Sequence, residues 1–222
     1  SHSNDMRRFL TGNFQLFPSD RQAITILVNR STQHAQIPGA LTEVQATEDP
    51  LQANPVNVSK NAGRYQNWTR IGIGQQYRFN EKLSNSTSIF SYFYDLDHPL
   101  PYAYIRNQYQ SYGGRTRFTF DPGFRLFATV FSLGGEFNQG LTKGNQFVNE
   151  NGTEGDIHTN TDYENTYFSL FYQSETALTP RTLFTAGVGI NSMQYLVRDY
   201  LVPLQSGVKQ FRAQASPRIA LS

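Results

Sequence analysis

The chain has 222 residues, with 19 Lys and Arg against 17 Asp and Glu, so no basic surplus exists to displace phosphate counterions and nucleic acid is not an expected partner. It has no cysteine, which excludes disulfides, thiolate metal sites and cysteine nucleophiles, and its four histidines, His2, His34, His98 and His158, are too widely spaced for a local metal cluster. Charged residues make up only 16% while aromatics reach 14%, and no run of about 18 apolar residues occurs, which excludes a transmembrane helix and favours strands.

Period-two alternation recurs along the chain. Leu10, Gly12, Phe14 and Leu16 interleave with Thr11, Asn13 and Gln15. Ile24, Ile26 and Val28 follow, then Ile71, Ile73, Tyr77 and Phe79 against Arg70, Gly72, Gly74, Gln76 and Arg78. A fourth segment sets Phe90, Tyr92 and Tyr94 against Ser91, although Ile89 and Phe93 blur its phase. A fifth sets Phe118 and Phe120 against Arg115, Arg117 and Thr119, and a sixth Leu126, Ala128 and Val130 against Arg125, Phe127 and Thr129. The last three carry Phe168, Leu170 and Tyr172; Phe184, Ala186, Val188 and Ile190; and Phe211, Ala213 and Ala215 against Arg212, Gln214 and Ser216. These are nine strands, many long enough to match the roughly 9–11 residues a tilted strand needs to cross a bilayer. No convincing amphipathic helix is present, since Leu41 to Leu51 is mostly polar and interrupted by Pro50.

The connections alternate in length. Turn chemistry marks short ones at 18–21, 80–85, 121–123 and 178–181, while 34–64, 95–105, 138–162 and 199–207 are expected to be long loops. Outer-membrane barrels join their strands by short periplasmic turns and long external loops. Tyr65, Trp68, Tyr77, Phe79, Tyr92, Tyr94, Phe118, Phe120, Tyr163, Tyr195 and Tyr200 lie near predicted strand ends, where an aromatic girdle would sit. The expected fold is therefore all-β, an antiparallel up-and-down transmembrane β-barrel. A complete small barrel of eight to ten strands and a soluble β-sandwich binding module remain as alternatives, because alternation alone does not separate a lipid-facing from a core-facing sheet. An odd strand number with no partner for the last strand points to a slice of a larger barrel, residues 1–222 forming one barrel segment.

The loop Ile37-Pro38-Gly39-Ala40-Leu41-Thr42, followed by Asp49-Pro50 and Ala53-Asn54-Pro55, resembles an external loop of TonB-dependent receptors of the ferric-siderophore type. The tail Ser216-Pro217-Arg218-Ile219-Ala220-Leu221-Ser222 resembles an inward-running strand of the same barrels, as does the rhythm of Ser88 to Tyr94 and of Gly114 to Phe118. The resemblance implies a barrel of about 22 strands around a plug, residing in the bacterial outer membrane, surrounded by its lipid, and energised by the TonB-ExbB-ExbD complex acting through a plug and TonB box outside this chain. It implies a ferric siderophore or similar anionic iron chelate as cargo and no resident cofactor.

The arginines are the strongest candidate site residues. Arg70, Arg78, Arg115, Arg117, Arg125 and Arg212 share the polar phase, with no comparable set of acids, and a basic lumen attracts anions. Arg115 and Arg117, with Tyr102 and Tyr104, are the expected ligand contacts, and Arg70, Arg78, Arg125 and Arg212 are expected to line the lumen; alternatively these arginines bind carboxylates of a plug or of neighbouring strands. The acidic pairs Asp95 and Asp97, and Glu154 and Asp156, lack the remaining ligands of a Ca²⁺ loop. No Gly-x-Ser-x-Gly motif occurs, and no enzymatic activity is expected.

Overall fold

The computed structural model describes residues 2–124 and 126–222. Nine strands, β1 (Asp5–Ser19), β2 (Gln22–Gln36), β3 (Gly63–Arg78), β4 (Leu83–Leu100), β5 (Ala103–Phe120), β6 (Ala128–Glu150), β7 (Thr153–Thr179), β8 (Thr182–Asp199) and β9 (Gly207–Leu221), pair antiparallel in chain order. The sheet is open, because β1 and β9 each pair on one side only. Two short helices, α1 (Glu43–Glu48) and α2 (Pro55–Ser59), lie in the β2–β3 connection where no helix was expected. The first is started by a capping box, with Thr42 Oγ1 accepting from the Gln45 amide and Gln45 Oε1 accepting from the Thr42 amide.

The four expected short turns lie at one end of the sheet and the four expected long connections at the other, as antiparallel order requires. Their lengths differ from expectation. The β2–β3 connection is a long loop, and residues 200–206 form a seven-residue connection with one 3-10 turn close to the expected 199–207. Residues 95–105 are strand apart from the turn at 101–102, and 138–162 is strand apart from the turn at 151–152. The length asymmetry resides in the strands: β7 has 27 residues and at about 3.3 Å per residue reaches roughly 90 Å, far beyond a bilayer crossing. Polar residues between 138 and 162 look loop-like in sequence, but two such stretches facing each other satisfy their backbones by pairing.

Directly opposed residues share a face, so the register assigns both faces. Phe14, Ile26, Ile73, Ile89, Gly114, Phe137 and Phe168 form one continuous row on the apolar face. Ile71, Phe118 and Val188 share that face, and Arg70, Arg78, Arg115 and Arg117 share the other. No second layer covers the apolar face among the described residues: Ile89 is 57% exposed, Leu133 58% and Phe168 45%. A soluble sandwich would bury these side chains.

Five expectations about facing are corrected. Phe90, Tyr92 and Tyr94 lie on the arginine face, because Phe90 opposes Gly72 and Tyr92 opposes Arg70. Both phases of Ser88–Tyr94 are apolar, so the pattern does not choose, and the register does. Val130 also lies on the arginine face, β6 starting at Ala128 with Phe131 and Leu133 outward. Phe211 is on the arginine face because a bulge in β9 sets it opposite Met193, two residues from the Asn191 that opposes Gln214. Arg212 falls inside that bulge, outside strict alternation. Of the expected girdle aromatics, Trp68, Tyr92, Tyr94, Tyr163 and Tyr195 face the arginine side. Arg125 lies outside the described residues.

Aromatics on the polar face are accommodated by glycines. Phe90 is flanked by Gly72 and Gly113, and Phe171 by Gly134 and Gly189. A Cβ on Gly113 would sit 2.8 Å from the Phe90 ring, and one on Gly134 would sit 2.6 Å from the Phe171 ring. The missing side chains leave room for each ring to lie flat across its neighbours.

Candidate functional site

On the arginine face, near the end that carries the β2–β3 loop, two adjacent cross-strand rows converge. Phe9, Ser31, Trp68, Tyr94 and Tyr109 oppose one another across β1 to β5, and Thr11, Asn29, Arg70, Tyr92 and Ser111 form the next row. The serines and threonine give the rings room. Phe9 meets Trp68 edge-on at 5.8 Å, Tyr92 stacks with Tyr94 at 6.4 Å, and Tyr92 lies 5.7 Å from Tyr109. The Arg70 guanidinium is 5.6 Å from the Tyr92 ring and 5.9 Å from the Trp68 ring. Arg70 makes no ion pair among the described residues. Tyr94 Oη donates to Gln66 Oε1 at 3.1 Å, which orients the ring. A cation held between aromatic faces with its N–H groups unpaired can receive a planar or anionic group while the rings supply stacking area.

The four expected contact residues do not form one site. Tyr104 and Arg115 are eleven residues apart on the same strand, roughly 36 Å at ~3.3 Å per residue, and on opposite faces. Tyr104 packs against Arg106, 6.0 Å from its guanidinium, on the rim. Arg106 in turn bonds Asp97 at 2.8 Å and approaches Glu154 at 2.5 Å, a contact that is close but not aligned as a hydrogen bond. Tyr102 sits exposed at the turn between β4 and β5.

Arg115 and Arg117 lie toward the short-turn end. Arg115 is 4.0 Å from Glu136 and 5.8 Å from the Phe171 ring. With Glu175 and Arg218 they line an open cavity of about 610 Å³, and Arg117 reaches a second of about 840 Å³ beside Arg21 and Arg78. Arg78 donates to the Asp20 carbonyl at 3.1 Å and so steadies the β1–β2 turn. No group of metal-ligating side chains occurs among the described residues.

Sequence reading singled out Arg70 but missed its aromatic surroundings. The signal was present in Trp68 and Tyr92, both two residues from a position of the same phase, but it required the β3–β4 register to bring them together.

No family model matches the sequence, and no curated protein sequence matches it. Solved structures do. The ferric citrate transporter FecA in its unliganded form superposes with a TM-score of 0.81 at 12% identity over 99% of this chain and 33% of that one. The alcaligin outer-membrane receptor FauA from Bordetella pertussis gives 0.71 at 12% identity, covering 98% and 32%. BauA, the ferric preacinetobactin receptor from Acinetobacter baumannii, gives 0.70 at 7%, covering 98% and 37%. The fold of the nine-stranded sheet is that of the barrel portion of TonB-dependent receptors, and the chain spans about a third of the length of such receptors.

Proposed function

We propose that these residues are one contiguous barrel segment of an outer-membrane receptor that imports an anionic ferric chelate. The observation that carries this reading is the Arg70 aromatic cluster on the polar face of a sheet whose other face is apolar and uncovered. With the apolar face against lipid, the polar face lines the lumen, and the end bearing the β2–β3 loop is external. The cluster then lies in the outer part of the lumen, in the path of an incoming ligand. Arg70 supplies charge, and Trp68, Tyr92, Tyr94 and Tyr109 supply stacking surface. The remaining strands, a plug and the segment that engages the TonB-ExbB-ExbD complex belong to parts of the parent protein beyond these residues.

The short-turn arginines serve a different purpose in this reading. Arg117, Arg78 and Arg218 have no ion pair among the described residues and line open cavities, which suits reception of carboxylates from a plug.

Equilibrium binding of ferric citrate and a ferric tricatecholate to the intact protein containing these residues tests the assignment. Charge-assisted bonds contribute roughly 1.5–3 kcal/mol, so Arg70→Ala should weaken binding about tenfold or more. Trp68→Ala should weaken it too, and Tyr104→Ala should leave it unchanged. Unchanged affinity for both chelates in Arg70→Ala would remove the cluster from the ligand path.

A further inference from the structure

On the apolar face, the lipid-facing residues of β1 and β2 run Leu16, Phe14, Gly12 and Leu10, and Ile24, Ile26 and Val28. The next positions toward the loop end are Arg8 and Arg30. Leu10 opposes Arg30 and Thr32 opposes Arg8, so the two arginines are diagonal neighbours on one face. Diagonal cross-strand neighbours lie ~7–8 Å apart, within reach of long side chains. Both arginines are exposed, and neither makes an ion pair among the described residues.

Elsewhere along the same rim, the outward cations come with opposite partners. Arg198 bonds Glu164 at 2.8 Å, Lys143 opposes Asp162, and Arg106 bonds Asp97. In the row Arg8, Thr32, Asn67, Asp95, the first carboxylate is three strands from Arg8. Strands are about 4.8 Å apart, which places that carboxylate beyond direct contact. Within the described sheet, two guanidinium groups without a carboxylate partner thus sit at the upper edge of an apolar band. Thr32, Thr69 and Asn67 beside them offer further donors.

We propose that Arg8 and Arg30 bind the phosphates of lipid headgroups in the outer leaflet. The inference rests on the membrane-barrel reading. Guanidinium forks match phosphate oxygens bidentately, and the site lies where headgroups meet acyl chains. Leu10, Phe14, Val28 and Ile26 below them would contact the chains of the same lipid.

The test uses the intact protein in phosphatidylcholine nanodiscs carrying a bis-phosphorylated glycolipid, with retained lipid read by native mass spectrometry. Wild-type protein should retain the phosphorylated glycolipid and release its enzymatically dephosphorylated form. The double variant Arg8→Gln, Arg30→Gln should retain about tenfold less. Arg8→Lys, Arg30→Lys, which keeps the charge and loses the fork, should fall between. Equal retention by wild type and a correctly inserted Gln variant overturns the proposal, as does displacement of the lipid by inorganic phosphate at comparable concentration. Failure of the wild-type protein to enter the bilayer overturns the membrane reading itself.

Discussion

Phe90 and Phe171 show how single residues set the polar face. Each is a large apolar group opposed by a glycine on either side, and its ring leans over one of them, Phe90 over Gly113 and Phe171 over Gly134. Gly113 is constrained by backbone as well as by the ring, since a Cβ there would also lie 2.5 Å from the Phe137 carbonyl oxygen, as one on Gly134 would from that of Thr116. Backbone does not move aside as a side-chain tip can. Gly113→Val should therefore destabilise the sheet by about 1–3 kcal/mol, the usual cost of overpacking. Phe90→Ala in the same background should recover part of the loss, measured as the midpoint of urea unfolding in detergent. Recovery is expected to be partial because the carbonyl clash remains.

At the scale of elements, the loop end is clasped by one buried side chain. Asn149, 2% exposed, donates through Nδ2 to the carbonyls of Lys60 and Leu100, both at 2.8 Å, and accepts through Oδ1 from the Gly152 amide at 2.7 Å. Lys60 Nζ returns a bond to the Asn149 carbonyl at 2.8 Å. The β2–β3 loop, the β4–β5 turn and the β6–β7 hairpin are thereby tied together. Removing Asn149 leaves two carbonyls and an amide without partners, at a cost of about 1–3 kcal/mol for each buried orphan. Asn149→Ala should make the β2–β3 loop markedly more sensitive to limited proteolysis while leaving cleavage at the 180–181 turn unchanged. Farther round the rim, Tyr200 Oη donates to Asp162 at 3.0 Å. That bond raises the phenol above its ordinary value, so the bond is fully present below the ordinary tyrosine range and is lost as pH rises through the higher value. In an ultraviolet difference titration against Tyr200→Phe, Asp162→Asn should bring this ionisation to lower pH.

For the whole molecule, the open edges matter most. β1 and β9 each present a row of backbone groups that no strand among the described residues satisfies. In lipid each such group costs several kcal/mol, so the edges must find partners. In the isolated 222-residue chain in detergent, amides on the free sides of β1 and β9 should exchange with deuterium much faster than those of β4 to β6. In the intact protein the difference should vanish. Persistent fast exchange of β1 and β9 there would mean that the barrel does not continue through these edges.

Alternation in Leu10–Leu16, Ile24–Val28, Ile71–Ile73, Phe118–Phe120, Phe168–Tyr172 and Phe184–Ile190 was enough to define strands and their faces, because each phase differs strongly in polarity. It failed at Ile89–Tyr94, where both phases are apolar, and at Phe211, where a bulge changes phase without a mark in the pattern. Polar composition at 95–105 and 138–162 reads as loop because the pairing of two strands satisfies their backbones without any apolar residue. The gathering of Phe9, Trp68, Arg70, Tyr92 and Tyr109 joins positions as much as a hundred residues apart, whereas the opposite facing of Tyr104 and Arg115 follows from their odd spacing once 103–120 is one continuous strand. Local sequence set which residues could share a face; cross-strand register, a long-range property fixed by pairing and by glycine-sized gaps, decided which of them meet.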